Sequence, residues 1–320
     1  MGSGKFIALS GGVGGAKLSQ GLASIIPAED LTIVVNTGDD ADHYGLFVCP
    51  DIDTQIYTLS GRADPDRGWG RRDETWHAMN SMRELGEEVW FNIGDHDLGL
   101  KMLRTMRLAR GDRLTDITRD FARRFGLYET ILPMSDERVS THIRCTDGWY
   151  GFHEWFVEAK CVPKVEEIVF KGAGSATMTE EVRAAFADPQ LSAVIVCPSN
   201  PFLSIDPILA VPGMRETIVA RDVPVIGVTP VVGGAAIKGP TAAMMRGFDL
   251  PVTAASAAAV HEGLYSGYVI DTRDEDQVDD FRNANADVVV TAHDTMMVDL
   301  AAKESLALAV VEFSQTLGGR

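Results

Sequence analysis

The sequence predicts a doubly wound α/β fold, an open, mostly parallel, Rossmann-like sheet with helices on both faces and a helical insertion subdomain. Three observations predict it. Short, wholly apolar runs recur along the chain, as strands covered on both faces require. Amphipathic, helix-length segments alternate with them. The first apolar run leads straight into LSGGVGGAKLSQGL, residues 9 to 22, which places five glycines in fourteen positions where a strand gives way to a helix.

Taken in order, Lys5 to Leu9 is the first strand and Ala16 to Ile25 the helix behind it. Leu31 to Val35 (LTIVV) is the second strand, ending in the polar run NTGDDADHYG. From Asp73 to Gly126 the rhythm breaks. TWHAMNSMREL, LGLKMLRTMRLA and LTDITRDFARRF repeat apolar residues at three- and four-residue steps, which predicts consecutive amphipathic helices. In the last of them Leu114, Ile117, Phe121 and Phe125 share one face, and Gly126 marks the stop. Residues 73–126 therefore read as the insertion, and 1–72 with 127–320 as the core. The strands SAVIVC (192–197), VPVIGV (223–228), YVI (268–270) and ADVVV (286–290) follow. Between them, Thr179 to Ala187 opens on a threonine cap, and Pro207 to Ala220 carries proline in its first turn. Thr241 to Arg246 and Met296 to Thr316 complete the helices.

Hydrophobic residues make up 45% and charged residues 23%, as in an ordinary globular protein. A net charge of −17 argues against a non-specific nucleic-acid binder. An anionic small molecule stays compatible, because local amides, cations or a metal ion reverse the field. Cys49, Cys145, Cys161 and Cys197 form no CxxC pair, so reduced thiols in a cytoplasmic protein are expected. No apolar stretch reaches the roughly 18 residues of a membrane helix.

The glycine-rich segment sits where backbone amides and a helix dipole make an anion site. It is not a P-loop, since Lys17 follows Ala16 and precedes Leu18. Nor is it a full dinucleotide fingerprint: Gly12 and Gly14 match, but Lys17 stands in the third glycine's place, and the ribose-binding acid is missing. A phosphate ligand is the better reading. Asp39, Asp40, Asp42, Asp51 and Asp53 then crowd into fifteen residues near the carboxyl end of the second strand. Carboxylates so close repel unless a cation screens them, and Mg²⁺ suits one or two carboxylates plus substrate phosphates. Further polar clusters sit where a second edge loop is expected. GDHDLG brings Asp95 and Asp97 to the start of a helix, where a carboxylate can cap free amides, and LPMSDE places Ser135 and Asp136 in a turn. CPSNP with Ser199 and Asn200 and TPVVGGAAIKGP with Gly233, Gly234 and Lys238 follow strands; each cluster alone is compatible with turn chemistry. His153 reads as a packed aromatic-cluster residue, and Trp69, Trp76 and Trp90 as core or subdomain-interface residues. No nucleophile elbow GxSxG supports acyl transfer.

SGGVGGAKL, VNTGDD, CPDIDTQIYTLSG, GWGRRDET, WFNIGDHDL, LPMSDERVSTHI, FHEWF, PSNP, VPGMRE, PVVGGAAIKGP and HDTMM, in this order, resemble the 2-phospho-L-lactate transferase family of coenzyme F-420 biosynthesis. The resemblance implies transfer of a phosphorylated three-carbon acid from a guanosine diphosphate-linked donor to the terminal ribityl hydroxyl of the deazaflavin Fo, with GMP released and Mg²⁺ present. It matches Gly11, Gly12, Gly14, Gly15 and Lys17 to the nucleotide–phosphate loop, and Asp40, Asp51 and Asp53 to the metal positions. Ser199 and Asn200 match the guanosine-facing loop, Gly233 to Gly239 a later glycine loop, and Ser135 and Asp136 the cleft lining. Either Asp53 or Asp40 would take the hydroxyl proton. The family's GDRD is GDHD here, with His96 in the arginine's place; a neutral imidazole supplies no bidentate cationic fork. A homodimer is implied in the same way. A nicotinamide oxidoreductase and a non-catalytic nucleotide-sugar-binding regulator of a related family remain as rivals. The three-carbon acid itself (2-phospholactate, phosphoenolpyruvate or 3-phosphoglycerate) is left open.

Overall fold

A computed structural model of the chain describes residues 4–236 and 239–318. Seven strands form the central sheet: β1 (Lys5–Ser10), β2 (Leu31–Val35), β3 (Thr130–Pro133), β4 (Leu191–Val196), β5 (Val225–Val228), β6 (Gly267–Asp271) and β7 (Val289–His293). Their spatial order is β7-β6-β5-β4-β1-β2-β3, and every pairing is parallel. The pleat assigns the layers. Phe6 and Ala8 of β1 face one apolar layer, and Ile7 and Leu9 face the other. The predicted strands are all present within a few residues of their expected bounds; β3, ending in proline, was not expected.

One face carries α1 (Gly12–Ile25), α2 (Pro50–Leu59) and the helix Leu300–Gly318. The other carries Glu180–Ala187 and Met214–Ala220. Thr179 caps the former, its Oγ1 accepting from the Val182 amide at 3.1 Å, as the sequence predicts. The single helix expected over Pro207 to Ala220 is two pieces, Asp206–Leu209 and Met214–Ala220, interrupted where Gly213 adopts φ +82.

The three helices of the expected insertion exist: α3 (His77–Glu84), α4 (Asp95–Ala109) and α5 (Leu114–Arg124). They do not form one separate subdomain. Leu100, Leu114, Ile117, Phe121 and Ala122 pack in the same layer as β1 and α1, so α4 and α5 belong to the cover of the sheet. Only α3 stands apart, in a small cluster of Val48, Met79 and Ile93. Amphipathicity was read correctly, but an apolar stripe does not say which surface it meets. Between β3 and β4 lies an unforeseen antiparallel sheet of Ser140–Cys145, Gly148–Gly151 and Val165–Lys171.

Candidate active site

The strand order reverses between β1 and β4, since the chain winds outward from β1 through β2 to β3, then returns to β4 beside β1. Ligands of open α/β sheets lodge at such a point, beyond the carboxyl ends of the strands. Four segments meet there: Gly11–Gly15 after β1, Asn36–Asp40 after β2, the first turn of α2, and Pro198–Asn200 after β4.

The glycines open α1 rather than precede it, because the helix starts at Gly12 and not at Ala16. What lies against most of them is the protein itself. A Cβ on Gly14 would overlap the Pro198 carbonyl oxygen, one on Gly15 the hydroxyls of Ser10 and Ser199, and one on Gly11 Ser204 and Asp51. Gly12 alone of these has open space, and its φ of +65 calls for glycine. Ser199 stitches the crevice shut at its base: Oγ accepts from Gly11 N at 3.1 Å and donates to Gly11 O at 2.8 Å. Lys17 Nζ donates to the Met297 carbonyl at 3.1 Å.

Asp51 takes the Gly12 amide at 2.8 Å on Oδ1 and Asn36 Nδ2 at 2.9 Å on Oδ2. Burial raises its carboxyl to about 6, against those two hydrogen bonds. Asp40 is also buried, and neither of its carboxylate oxygens has a hydrogen-bond partner. Burial lifts it well above the usual range, while the Cys49 thiol and the Arg104 guanidinium pull the other way. Asp39 is raised by burial and by the charges of Asp51 and Asp40, and its Oδ1 is unpartnered. Thr37 Oγ1 and Gln55 Nε2 are buried without partners in the same region. Ten such orphan atoms occur among the described residues, and half of them fall on residues 37 to 55. Buried polar groups are otherwise satisfied almost everywhere, so this concentration marks a place built to receive a polar ligand.

Asp53 is put to a different use from the one expected. It is held by Lys101 Nζ at 3.3 Å and by both Nη atoms of Arg104, one at 3.1 Å. Burial opposes its charge, but Arg104 and Lys101 outweigh burial and keep the carboxyl below its usual range. It is neither an open ligand nor a free base. Among the described residues no group of three or more His, Cys, Asp and Glu is arranged to hold a metal. The hard oxygens of Asp40 and Asp51 still fit the one- or two-carboxylate coordination of Mg²⁺.

Other expected site residues have structural partners. Ser135 Oγ hydrogen-bonds to Glu137 at 2.6 Å and lies 2.8 Å from the Thr177 carbonyl. Asp136 caps α5 through Thr115 N and Oγ1, each at 2.8 Å, and pairs with Arg113. Asn200 Oδ1 accepts from Phe202 N and Leu203 N. Gly233 and Gly234 turn the hairpin Val231–Val232/Ala235–Ala236 with positive φ, and Gly233 N donates to buried Asp274. Lys238 lies outside the described residues. Asp95 does not cap its own helix. It accepts from His77 N and Ala78 N at the start of α3, while Glu74 accepts from His96 N and Asp97 N at the start of α4. His153 is the packed residue expected: its Nδ1 is 2.7 Å from His43 Nε2, and both rings stack on Phe91. Sequence reasoning missed Asn36 and Gln55, whose signal is only their place in VNTGDD and PDIDTQ.

A doubly wound parallel sheet with a helix N-terminus and buried aspartates, some without hydrogen-bond partners, at its switch point defines a Rossmann-like α/β protein. The chain belongs to the family described as 2-phospho-L-lactate transferase CofD, which matches residues 6–312. It is a transferase of coenzyme F-420 biosynthesis. It is 36% identical over 319 residues to the phosphoenolpyruvate transferase of Kitasatospora aureofaciens, covering 97% of this chain and 98% of that one. To the 2-phospho-L-lactate transferase of Methanosarcina mazei it is 33% identical over 306 residues, covering 96% and 99%. In fold it is similar to a UPF0052 family protein from Bacillus halodurans, with a TM-score of 0.62 at 14% identity over 97% of this chain and 99% of that one. No helix among the described residues is long and apolar enough to cross a membrane.

Proposed function

We propose that the chain moves a phosphorylated three-carbon acid from a guanosine diphosphate-linked donor to the terminal ribityl hydroxyl of Fo, releasing GMP, with Mg²⁺ held by Asp40 and Asp51. The observation that carries the reading is the Asp40 carboxylate, buried with both oxygens unpartnered beside the start of α1. Relatives named phosphoenolpyruvate transferase and 2-phospho-L-lactate transferase support the acid's class.

Asp40 and Asp51 would hold Mg²⁺, which would supply charge neutralisation on the diphosphate oxygens. The chain's own residues do the rest. Gly12 N is committed to Asp51, so the amides that follow it present the positive end of the α1 dipole to the diphosphate. Asn36 and Gly12 fix Asp51 in one orientation. Asp40 has two unpartnered oxygens, one that would face the cation and one left to take the attacking hydroxyl's proton. Asp53, committed to Arg104, takes no part in proton transfer. A cytoplasmic homodimer goes with the same reading.

The test mixes the protein with Fo, Mg²⁺ and the three guanylylated donors in competition, and follows GMP and the product mass. GMP release with one acid appearing on Fo is expected. Donor binding without GMP release refutes the transferase chemistry and marks a non-catalytic nucleotide binder.

A further inference from the structure

Behind the candidate site, α2 and α4 are joined by a buried polar stripe rather than an apolar seam. On α2, Asp53 and Tyr57 are four residues apart and share a face; on α4, Asp97, Lys101 and Arg104, at steps of four and three, also share one. Lys101 bridges Asp53 at 3.3 Å and Asp97 at 2.5 Å, Arg104 grips Asp53 with both Nη atoms, and Tyr57 Oη donates to Asp97 at 2.7 Å. The side chains of Lys101 and Arg104 are 4% and 1% exposed.

Such a network is a poor way to gain stability. Well-packed apolar residues of similar volume generally do as well or better, whereas charged forks fix one register. The register matters here because Asp51 stands two residues before Asp53. It projects from the other side of α2, onto Gly12 N and Asn36. The first turn of α2 is thus clamped from both sides.

We infer that Lys101 and Arg104 are positioning residues: by fixing Asp53 they set the rotation of α2 that aims Asp51 at the start of α1 and at the metal–phosphate site. The inference rests on the proposed function for its catalytic consequence, but its structural consequence is measurable without substrate.

Two variants test it. In the triple variant Asp53→Leu/Lys101→Met/Arg104→Met, apolar side chains of similar size replace the ion pairs on Asp53, and Tyr57 keeps its bond to Asp97. In Arg104→Lys the charge stays and the planar fork is lost. Amide hydrogen exchange of the ligand-free protein reads the Gly12 N–H bonded to Asp51. Protection at Gly12 is expected to fall by about tenfold or more relative to residues within β1, and more in the triple variant than in Arg104→Lys. In turnover assays kcat is expected to fall by about 10- to 100-fold, the size of effect an ångström-scale misplacement produces, and calorimetric Mn²⁺ affinity is expected to weaken. Should the triple variant not fold, Arg104→Lys carries the comparison. Wild-type Gly12 protection in a folded variant overturns the inference whatever the activity. A wild-type protein that releases no GMP overturns the functional reading instead, and leaves the exchange comparison to decide this one.

Discussion

Gly14 sits in the first turn of α1, where alanine is the better helix former by about 1 kcal/mol. Gly14→Ala should nevertheless destabilise the protein. The added Cβ would fall well inside 3.0 Å of the Pro198 carbonyl oxygen, a backbone atom that cannot swing aside like a side chain. Overpacking costs about 1–3 kcal/mol, and overlap with a fixed backbone oxygen belongs at the upper end, so the net loss is about 2 kcal/mol after the helix gain. For a chain of this size that lowers Tm by about 2–6 °C. Calorimetric unfolding measures it, and titration with guanosine diphosphate should show weaker binding, because the Pro198–Asn200 segment must be pushed away from α1. Gly12→Ala is the control: it meets no atom within 4 Å, and its cost of about 1–2 kcal/mol arises only from φ +65. A Gly14→Ala protein as stable as wild type, or more so, would refute the claim that this glycine makes room for the chain's own backbone.

Asp40→Asn removes a carboxyl whose charged form burial opposes, so it should unfold at no lower a temperature than wild type at neutral pH while losing turnover; lower stability with activity kept would contradict both roles. Asp51→Asn sets an amide against the donors Gly12 N and Asn36 Nδ2, and should abolish GMP release at a cost of about 1–3 kcal/mol, read by urea unfolding. The His43–His153 pair predicts acid sensitivity. Burial depresses the rings to about 4 and about 3 from 6.5, so the folded state refuses protons that the unfolded state accepts. Stability is full above pH 6.5 and is lost as pH falls toward 4. Between pH 6.5 and 5 one such proton costs about 2 kcal/mol. Wild type should therefore lose at least that much more than His43→Phe/His153→Phe, a comparison in which the opposite trend of Asp39, Asp40 and Asp51 cancels.

The sheet and its direction were legible because buried parallel strands leave short apolar runs that little else produces. β3 escaped notice because four residues with exposed Thr130 and a terminal proline carry too little pattern. The extent of the insertion was misjudged because Leu100, Ile117 and Phe121 would form the same stripe against a neighbouring helix as against the sheet. At the site, composition pointed to the right segments but could not apportion duties. Asp51 and Asp53 are chemically alike and two residues apart. Only the helical rotation of α2 turns one toward Gly12 and the other toward Arg104. The glycines likewise marked a close approach, without saying that the approaching group was Pro198.

Because all seven strands point the same way, the loops entering them gather at the far end of the sheet, away from every residue argued to meet substrate. One of these, around exposed Asp222 just ahead of β5, is a surface turn where added chain should be tolerated. A tether or reporter spliced there would fix the molecule to a support with its working end turned outward, a handle for immobilised synthesis that leaves the crevice clear.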